Sequence, residues 1–181
     1  MKKSITLTIG CLLVSAAVAF AQTEAETSKL KSEIENDLTE SLLPFWINHS
    51  VDPEGGFYGI ILNDGKPVPN AFKGSVLNAR ILWTFSKAYR HYGLEKYKEL
   101  ADRAAEYYIN HFIDKKFGGV YWTLTSEGYP KEDYKQTYAA AFGIYGLSEH
   151  FRATGDERSL EAALSIYRTL EEKVHDKAGK G

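Results

Sequence analysis

A repeat with a period of 62 residues constrains this chain more than any other feature of its sequence. Ile47-Asn48-His49 recurs as Ile109-Asn110-His111, and Asp52 recurs as Asp114 and again as Asp176. Gly55-Gly56-Phe57-Tyr58 and Gly118-Gly119-Val120-Tyr121 follow the first two aspartates, and Gly179 and Gly181 follow the third. The same offset aligns Lys73 with Lys135, Ser86 with Ser148, Arg90 with Arg152, Gly93 with Gly155 and Ala101 with Ala163. Self-similarity at a fixed period means one supersecondary unit stacked on copies of itself, each copy burying a face that its neighbour leaves open.

Two kinds of helix fill the repeat. Leu30, Ile34, Leu38, Leu42 and Trp46 form an apolar stripe, as do Tyr97, Leu100, Ala101, Ala104, Ala105, Tyr108 and Phe112, and then Leu160, Ala163, Leu164, Tyr167, Leu170 and Val174. Helices with one apolar stripe and one charged face lie on the outside. The segments from Val76 to Trp83 and from Tyr138 to Tyr145 are apolar nearly all round, which reads as burial on all sides. Helices are expected over roughly 28–50, 72–92, 95–113, 133–154 and 157–175. Gly93 and Gly155 stand where C-terminal caps belong.

Alternating inner and outer helices describe an all-α fold, an (α/α)6 barrel or toroid. With about two and a half helix pairs and no terminal capping unit, the ring is expected to be incomplete, truncated in the third repeat. Each Asp-x-x-Gly-Gly segment leads from an outer helix to the next inner one. Asn63-Asp64-Gly65 and Ser126-Glu127-Gly128 supply turn chemistry there, so short β-hairpins between helix pairs are expected at the mouth of the ring.

The first 21 residues stand apart. Lys2 and Lys3, an apolar run from Ser4 to Phe20 and the A-x-A ending Ala19-Phe20-Ala21 describe a secretory signal peptide of bacterial type (1–21), leaving 22–181 as the folded part. An uncleaved anchor is the alternative, because the run is nearly long enough to span a bilayer. A secreted or periplasmic location, with no membrane contact after cleavage, is expected. Cys11 is the only cysteine, so the mature chain has no disulfide framework and no thiolate. Cleavage removes two of the 22 basic residues against 24 acidic ones, and the weakly acidic balance, with no basic patch, argues against a nucleic-acid partner.

Arg80 is the sharpest candidate for chemistry. It interrupts an apolar inner helix, and its repeat counterpart is Phe142. A guanidinium in such a place is costly unless it is paired or faces a polar cavity. Tyr138, equivalent to Val76, lies on the matching face one turn away in depth. Together they suit an oxygen-rich, small-molecule carbohydrate ligand; a structural Arg–carboxylate pair with Tyr138 simply packed is the competing reading. Tyr58, Tyr121 and Trp122 on the hairpins are possible sugar-stacking aromatics at the mouth. His49 and His111 end equivalent outer helices, where a cation suits the helix dipole, and His91, His150 and His175 also lie near helix ends. None has metal-ligand spacing and no phosphate-binding glycine loop is present, so neither metal nor cofactor is expected.

Leu42-Leu43-Pro44-Phe45-Trp46, Gly55-Gly56-Phe57-Tyr58-Gly59, Leu77-Asn78-Ala79-Arg80-Ile81-Leu82-Trp83, Gly118-Gly119-Val120-Tyr121-Trp122 and Ile144-Tyr145-Gly146-Leu147-Ser148-Glu149 together resemble the N-acylglucosamine 2-epimerase family. The resemblance is nearest to the cellobiose 2-epimerase branch and covers essentially the whole mature chain. It implies an (α/α)6 barrel of about twice this length and inversion at C2 of a reducing-end sugar, exchanging glucose and mannose units. In that family histidines remove the C2 proton of the opened sugar and return it to the opposite face, work that suits a group titrating near neutrality. The enediolate between the two steps needs positive or hydrogen-bonding groups aimed at its oxygens. By the same resemblance Arg80 and Tyr138 bind substrate, while the acid/base histidines fall beyond Gly181, so no catalytic residue is expected in this chain and it should be inactive alone.

One departure concerns substrate preference. Tyr138-Ala139-Ala140-Ala141-Phe142 stands where the family usually has Tyr-x-Gln-Ala-Phe, so a polar group near the pocket is missing. Three other readings compete. An aldose–ketose sugar isomerase would share the chemistry. A glycoside hydrolase or polysaccharide lyase on the same toroid would want carboxylates facing the cavity. A non-catalytic repeat scaffold would need no Arg80.

Overall fold

The computed structural model of the chain describes residues 23–132 and 134–179. The leader read from the sequence lies outside the described residues; among those described, no helix is long and apolar enough to cross a membrane. The chain divides into two compact units, one ending at Asn48 and one beginning at His49.

In the first unit residues from 23 onward are helical and run on to residue 49 (α1). The expected stripe does not stay on one face. Leu30, Ile34 and Leu42 are exposed whereas Leu43 is buried. A π-helical stretch, Asp37–Leu42, separates Leu30 and Ile34 from the α-helical segment Leu43–His49. A π-turn holds one more residue than an α-turn, so the side chains beyond it are rotated by about 100° from the series that precedes it.

The second unit is built from two helical hairpins. The first consists of Ser75–Tyr92 (α2) and Glu95–Tyr107 (α3), the latter continuing through a π-turn, Tyr108–Phe112. The second consists of Thr137–Thr154 (α4) and Glu157–Lys173 (α5). Two-residue links suffice because Gly93 and Gly155 adopt the left-handed conformation (φ 68° and 76°) and donate their N–H groups to Tyr89 and Phe151. Asp156 then caps α5, its carboxylate accepting from the N–H of Arg158.

α2 and α4 lie side by side as the inner pair. Repeat-equivalent residues meet across them, Arg80 against Phe142 and Trp83 against Tyr145, so the two helices run in the same direction. Their approach is close: a Cβ on Gly146 would stand 2.7 Å from the carbonyl oxygen of Ala79. The core holds Ala79, Leu82 and Phe85 of α2, Tyr97, Ala101 and Ala105 of α3, Leu147 of α4 and Ile166 of α5. Alanines on the outer helices let them approach the inner pair, and larger side chains fill the seams.

The inner helices begin later than the sequence suggested, at Ser75 and Thr137 instead of 72 and 133. Lys73–Gly74 (β1) is drawn into extended backbone because it pairs antiparallel with Thr123–Leu124 (β2) of the next connection. The strand pairing thus joins neighbouring connections. Within each connection only isolated bridges form: Val51 to Phe57 and Ile61 to Pro67 in the first, Ile113 to Val120 and Leu124 to Pro130 in the second.

The aspartate of each repeat closes its loop. The Asp52 carboxylate accepts from the N–H of Glu54, and Asp114 accepts from Lys116, each through Oδ1. Their other oxygens bind the repeat-equivalent lysines, Lys73 at 2.6 Å and Lys135 at 2.5 Å. Each lysine also donates to a loop carbonyl, of Gly55 and Gly118 respectively. The third motif adopts the same turn, Asp176 Oδ1 accepting from Ala178 and its carbonyl from Gly179. The 62-residue period is therefore a repeat of hydrogen-bond geometry as well as of letters.

Candidate functional site

Side chains three and four residues apart share a helix face, so Arg80, Trp83 and Thr84 of α2 stand together, as do Tyr138, Ala141, Phe142 and Tyr145 of α4. Most of these residues line an open cleft of about 560 Å³, formed by Arg80, Trp83, Thr84, Ala141, Phe142 and Tyr145. The inner helices are consequently not buried on every side. Arg80 and Ala141 are exposed, Tyr138 keeps 55% of its surface and Tyr145 keeps 44%.

The Arg80 guanidinium carbon lies 5.0 Å from the centroid of the Phe142 ring, a cation–π contact between repeat-equivalent positions. Phe142 in turn meets Tyr138 edge-on at 4.9 Å and Tyr145 at 6.0 Å. Tyr145 stacks on Trp83, with centroids 5.2 Å apart and planes 10° from parallel. Trp83 returns the contact to the helix that carries Arg80. Among the described residues no carboxylate lies within ion-pair distance of Arg80; the buried carboxylate Glu149 is paired with Arg90 and Arg152 instead. Tyr138 reaches the same cluster through Phe142. Burial and the charge of Glu149 push the Tyr145 hydroxyl above its ordinary pKa, with Arg80 pulling the other way.

The hairpin aromatics lie elsewhere. Tyr58 borders a separate polar hollow of about 420 Å³ with Asp52, Glu54, Asn70, Ser126 and Glu127. Tyr121 faces the second loop clamp, the Lys135 ammonium standing 5.4 Å from its ring; burial first, then Asp114, raises its hydroxyl pKa. Trp122 contributes its carbonyl, which accepts from the N–H of Ser75 at the start of α2. None of the three lines the Arg80 cleft.

All five histidines fall among the described residues, and none lines the cleft. His111 bonds through Nδ1 to the carbonyl of Gly128, and His49 packs its ring against Gly65; equivalent histidines thus hold equivalent turn glycines. That packing, more than the helix dipole, accounts for their place in the repeat. His91 rests edge-on against Tyr92, and His175 lies 3.4 Å from Glu171. His150 sits between Ser159 (Nδ1 to Oγ, 2.8 Å) and Asp102 (Nε2 to Oδ1, 3.0 Å). The Asp–His–Ser set has the residue types of a hydrolase triad, but His150 and Ser159 are fully buried. It ties α3, α4 and α5 together.

Among the described residues no carboxylate lines the cleft either. Glu149, on α4, is buried and held by Arg90 at 2.8 Å and Arg152 at 3.2 Å. Sequence reasoning marked Arg90 and Arg152 only as repeat equivalents. Trp83 and Tyr145 were read as core, and their common offset from Arg80 and Phe142 was the signal that they share a face. No three of His, Cys, Asp and Glu gather as metal ligands among the described residues.

The family model described as N-acylglucosamine 2-epimerase (GlcNAc 2-epimerase) matches residues 56–181. Over 148 residues the chain is 51% identical to the cellobiose 2-epimerase of Bacteroides fragilis, which covers 81% of this chain and 38% of that protein. It is 39% identical over 148 residues to the cellobiose 2-epimerase of Ruminococcus albus, covering 82% of this chain and 38% of the relative. The solved structure of cellobiose 2-epimerase from Spirochaeta thermophila superposes with a TM-score of 0.81 at 33% identity, covering 85% of this chain and 38% of the other. The chain therefore spans a little over a third of the length of these relatives. Its fold class is that of the (α/α)6 toroid, of which the described residues make part. With the family model matched from the first glycine motif to the last residue, the chain belongs to the N-acylglucosamine 2-epimerase family.

Proposed function

We propose that this chain is the N-terminal portion of an exported sugar 2-epimerase, which interconverts glucose and mannose units at the reducing end of a disaccharide such as cellobiose. The observation that carries the reading is Arg80, held over Phe142 in an open cleft where, among the described residues, no carboxylate stands within ion-pair distance of it. A charged, five-donor group left free in a mostly aromatic cleft is suited to oxygens that gain negative charge during reaction, as those of an enediolate do. Tyr138 offers a hydroxyl one turn nearer the mouth, and the aromatic walls can stack on sugar faces.

The acid/base pair comes from outside residues 1–181, because each histidine here is engaged away from the cleft. Removal of the C2 proton and its return to the other face exchange no electrons with a cofactor. Residues 1–181 alone are inactive on this reading.

The test is to express the complete protein encoded in frame and follow cellobiose in D2O by NMR. Epimerisation gives a mannose-ended disaccharide with deuterium at C2, and Arg80→Ala lowers kcat/KM by about a hundredfold, the scale for losing one donor to a developing oxyanion. A ketose product instead indicates an isomerase, and released glucose a hydrolase; either result defeats the epimerase reading.

A further inference from the structure

Among the described residues Arg80 has no carboxylate at ion-pair distance, the partner that usually fixes a guanidinium. Arginine side chains are flexible, and one that must meet a ligand in a set geometry loses affinity to its own disorder unless something orients it. A carboxylate would orient Arg80 but would also occupy its N–H donors and cancel its charge. An aromatic face attracts the cation and leaves the N–H edge open. Phe142 provides such a face at 5.0 Å, and it is itself locked by edge-on contacts with Tyr138 and Tyr145. The Tyr145–Trp83 stack then anchors the group to the helix that bears Arg80.

From this geometry we infer that Phe142 is a positioning residue, which aligns Arg80 for an electron-rich ligand oxygen while leaving its charge and donors unspent. The inference rests on the reading of Arg80 as a sugar contact. It assigns a purpose to the departure between repeats: at two equivalent positions of neighbouring inner helices, one carries the cation and the other the ring that holds it.

The test uses the complete enzyme with Phe142→Leu, Phe142→Trp and Arg80→Ala, and the double variant Arg80→Ala/Phe142→Leu. Thermal melts establish that each is folded. Phe142→Leu should lower kcat/KM roughly fivefold, the upper end for a cation–π contact at an exposed site, and Phe142→Trp should restore most of it. In the Arg80→Ala background the leucine substitution should cost less than about twofold, since coupled residues do not add. The Nε–H proton of Arg80, moved upfield by the ring current, should return towards its free position in Phe142→Leu even without substrate. Full additivity of the two substitutions, or an unchanged Arg80 signal in Phe142→Leu, overturns the positioning role while leaving Arg80 as a sugar contact. An Arg80→Ala enzyme of undiminished activity defeats the functional reading itself, and the positioning role with it.

Discussion

Lys73 and Lys135 do the same work at equivalent positions but at different depths. Lys73 is fully buried with Asp52, whereas Lys135 keeps 28% of its side chain in solvent. Removing one member of a buried pair strands the other charge, so Lys73→Met should destabilise by about 3–5 kcal/mol. Lys135→Met should cost less, because water can reach the Asp114 clamp and screen it. Urea melts of the two variants compare them directly. The acid limb of stability carries a second signature. Burial raises the Asp114 carboxyl, but the Lys135 hydrogen bond, the N–H groups of Phe117 and Lys116 and the Lys135 charge outweigh it and bring its pKa down to about 2. The native state then binds fewer protons than the unfolded chain, so this stabilisation is present above pH 4 and is lost as pH falls from about 4 to 2. Melts at stepped pH should show that loss in the parent and a flatter profile in Asp114→Asn. The sequence marked these residues as equivalents without showing that they bond. Periodicity reports which positions correspond, and a contact across 21 residues depends on how the loop between them turns.

At the scale of helices and strands, the order inner, outer, inner, outer and both glycine caps were legible, because apolar spacing and the need for φ above zero are local properties. The π-turn in α1 and the late starts of α2 and α4 were not. β1 exists because β2 stands beside it, and that partner lies in the next connection. The cleft was half legible: Arg80 stood out by charge, while Trp83 and Tyr145 look the same in a sequence whether they face a core or a cavity. Gly146 gives the seam between α2 and α4 its own test. A methyl there would meet the Ala79 carbonyl at 2.7 Å and cannot fit without moving backbone. Gly146→Ala should therefore destabilise by about 1–3 kcal/mol, the usual cost of overpacking. It should also part the Trp83–Tyr145 stack, which the near-ultraviolet circular dichroism would register.

At the scale of the molecule, two features decide how the pieces hold and what they expose. The Asp102–His150–Ser159 tie joins the outer helix of one repeat to both helices of the next. His150→Ala strips a buried hydroxyl of its partner and opens a void, so a loss of about 2–4 kcal/mol is expected in equilibrium unfolding. The exposed aromatic face of α2 and α4 is the other feature. Trp83, Phe142 and Tyr145 on one cleft should make residues 1–181, prepared alone, bind a hydrophobic dye more strongly than the complete protein does, as measured by fluorescence titration. That exposure explains why reading the inner helices as buried all round was half right. One flank packs on the outer helices and the other looks into the cleft.

The lysine clamps have a further consequence for how such a protein can change over generations. Each fastens a loop at its two ends, Asp52 to Lys73 and Asp114 to Lys135, and leaves the turns at Asn63-Asp64-Gly65 and Ser126-Glu127-Gly128 between them. Lengthening a closed loop costs entropy only as the logarithm of its length, about 0.6 kcal/mol per doubling. Insertions at those tips can therefore reshape the rim while the helical frame stays in register, which leaves the molecule free to acquire new specificities there without rebuilding its scaffold.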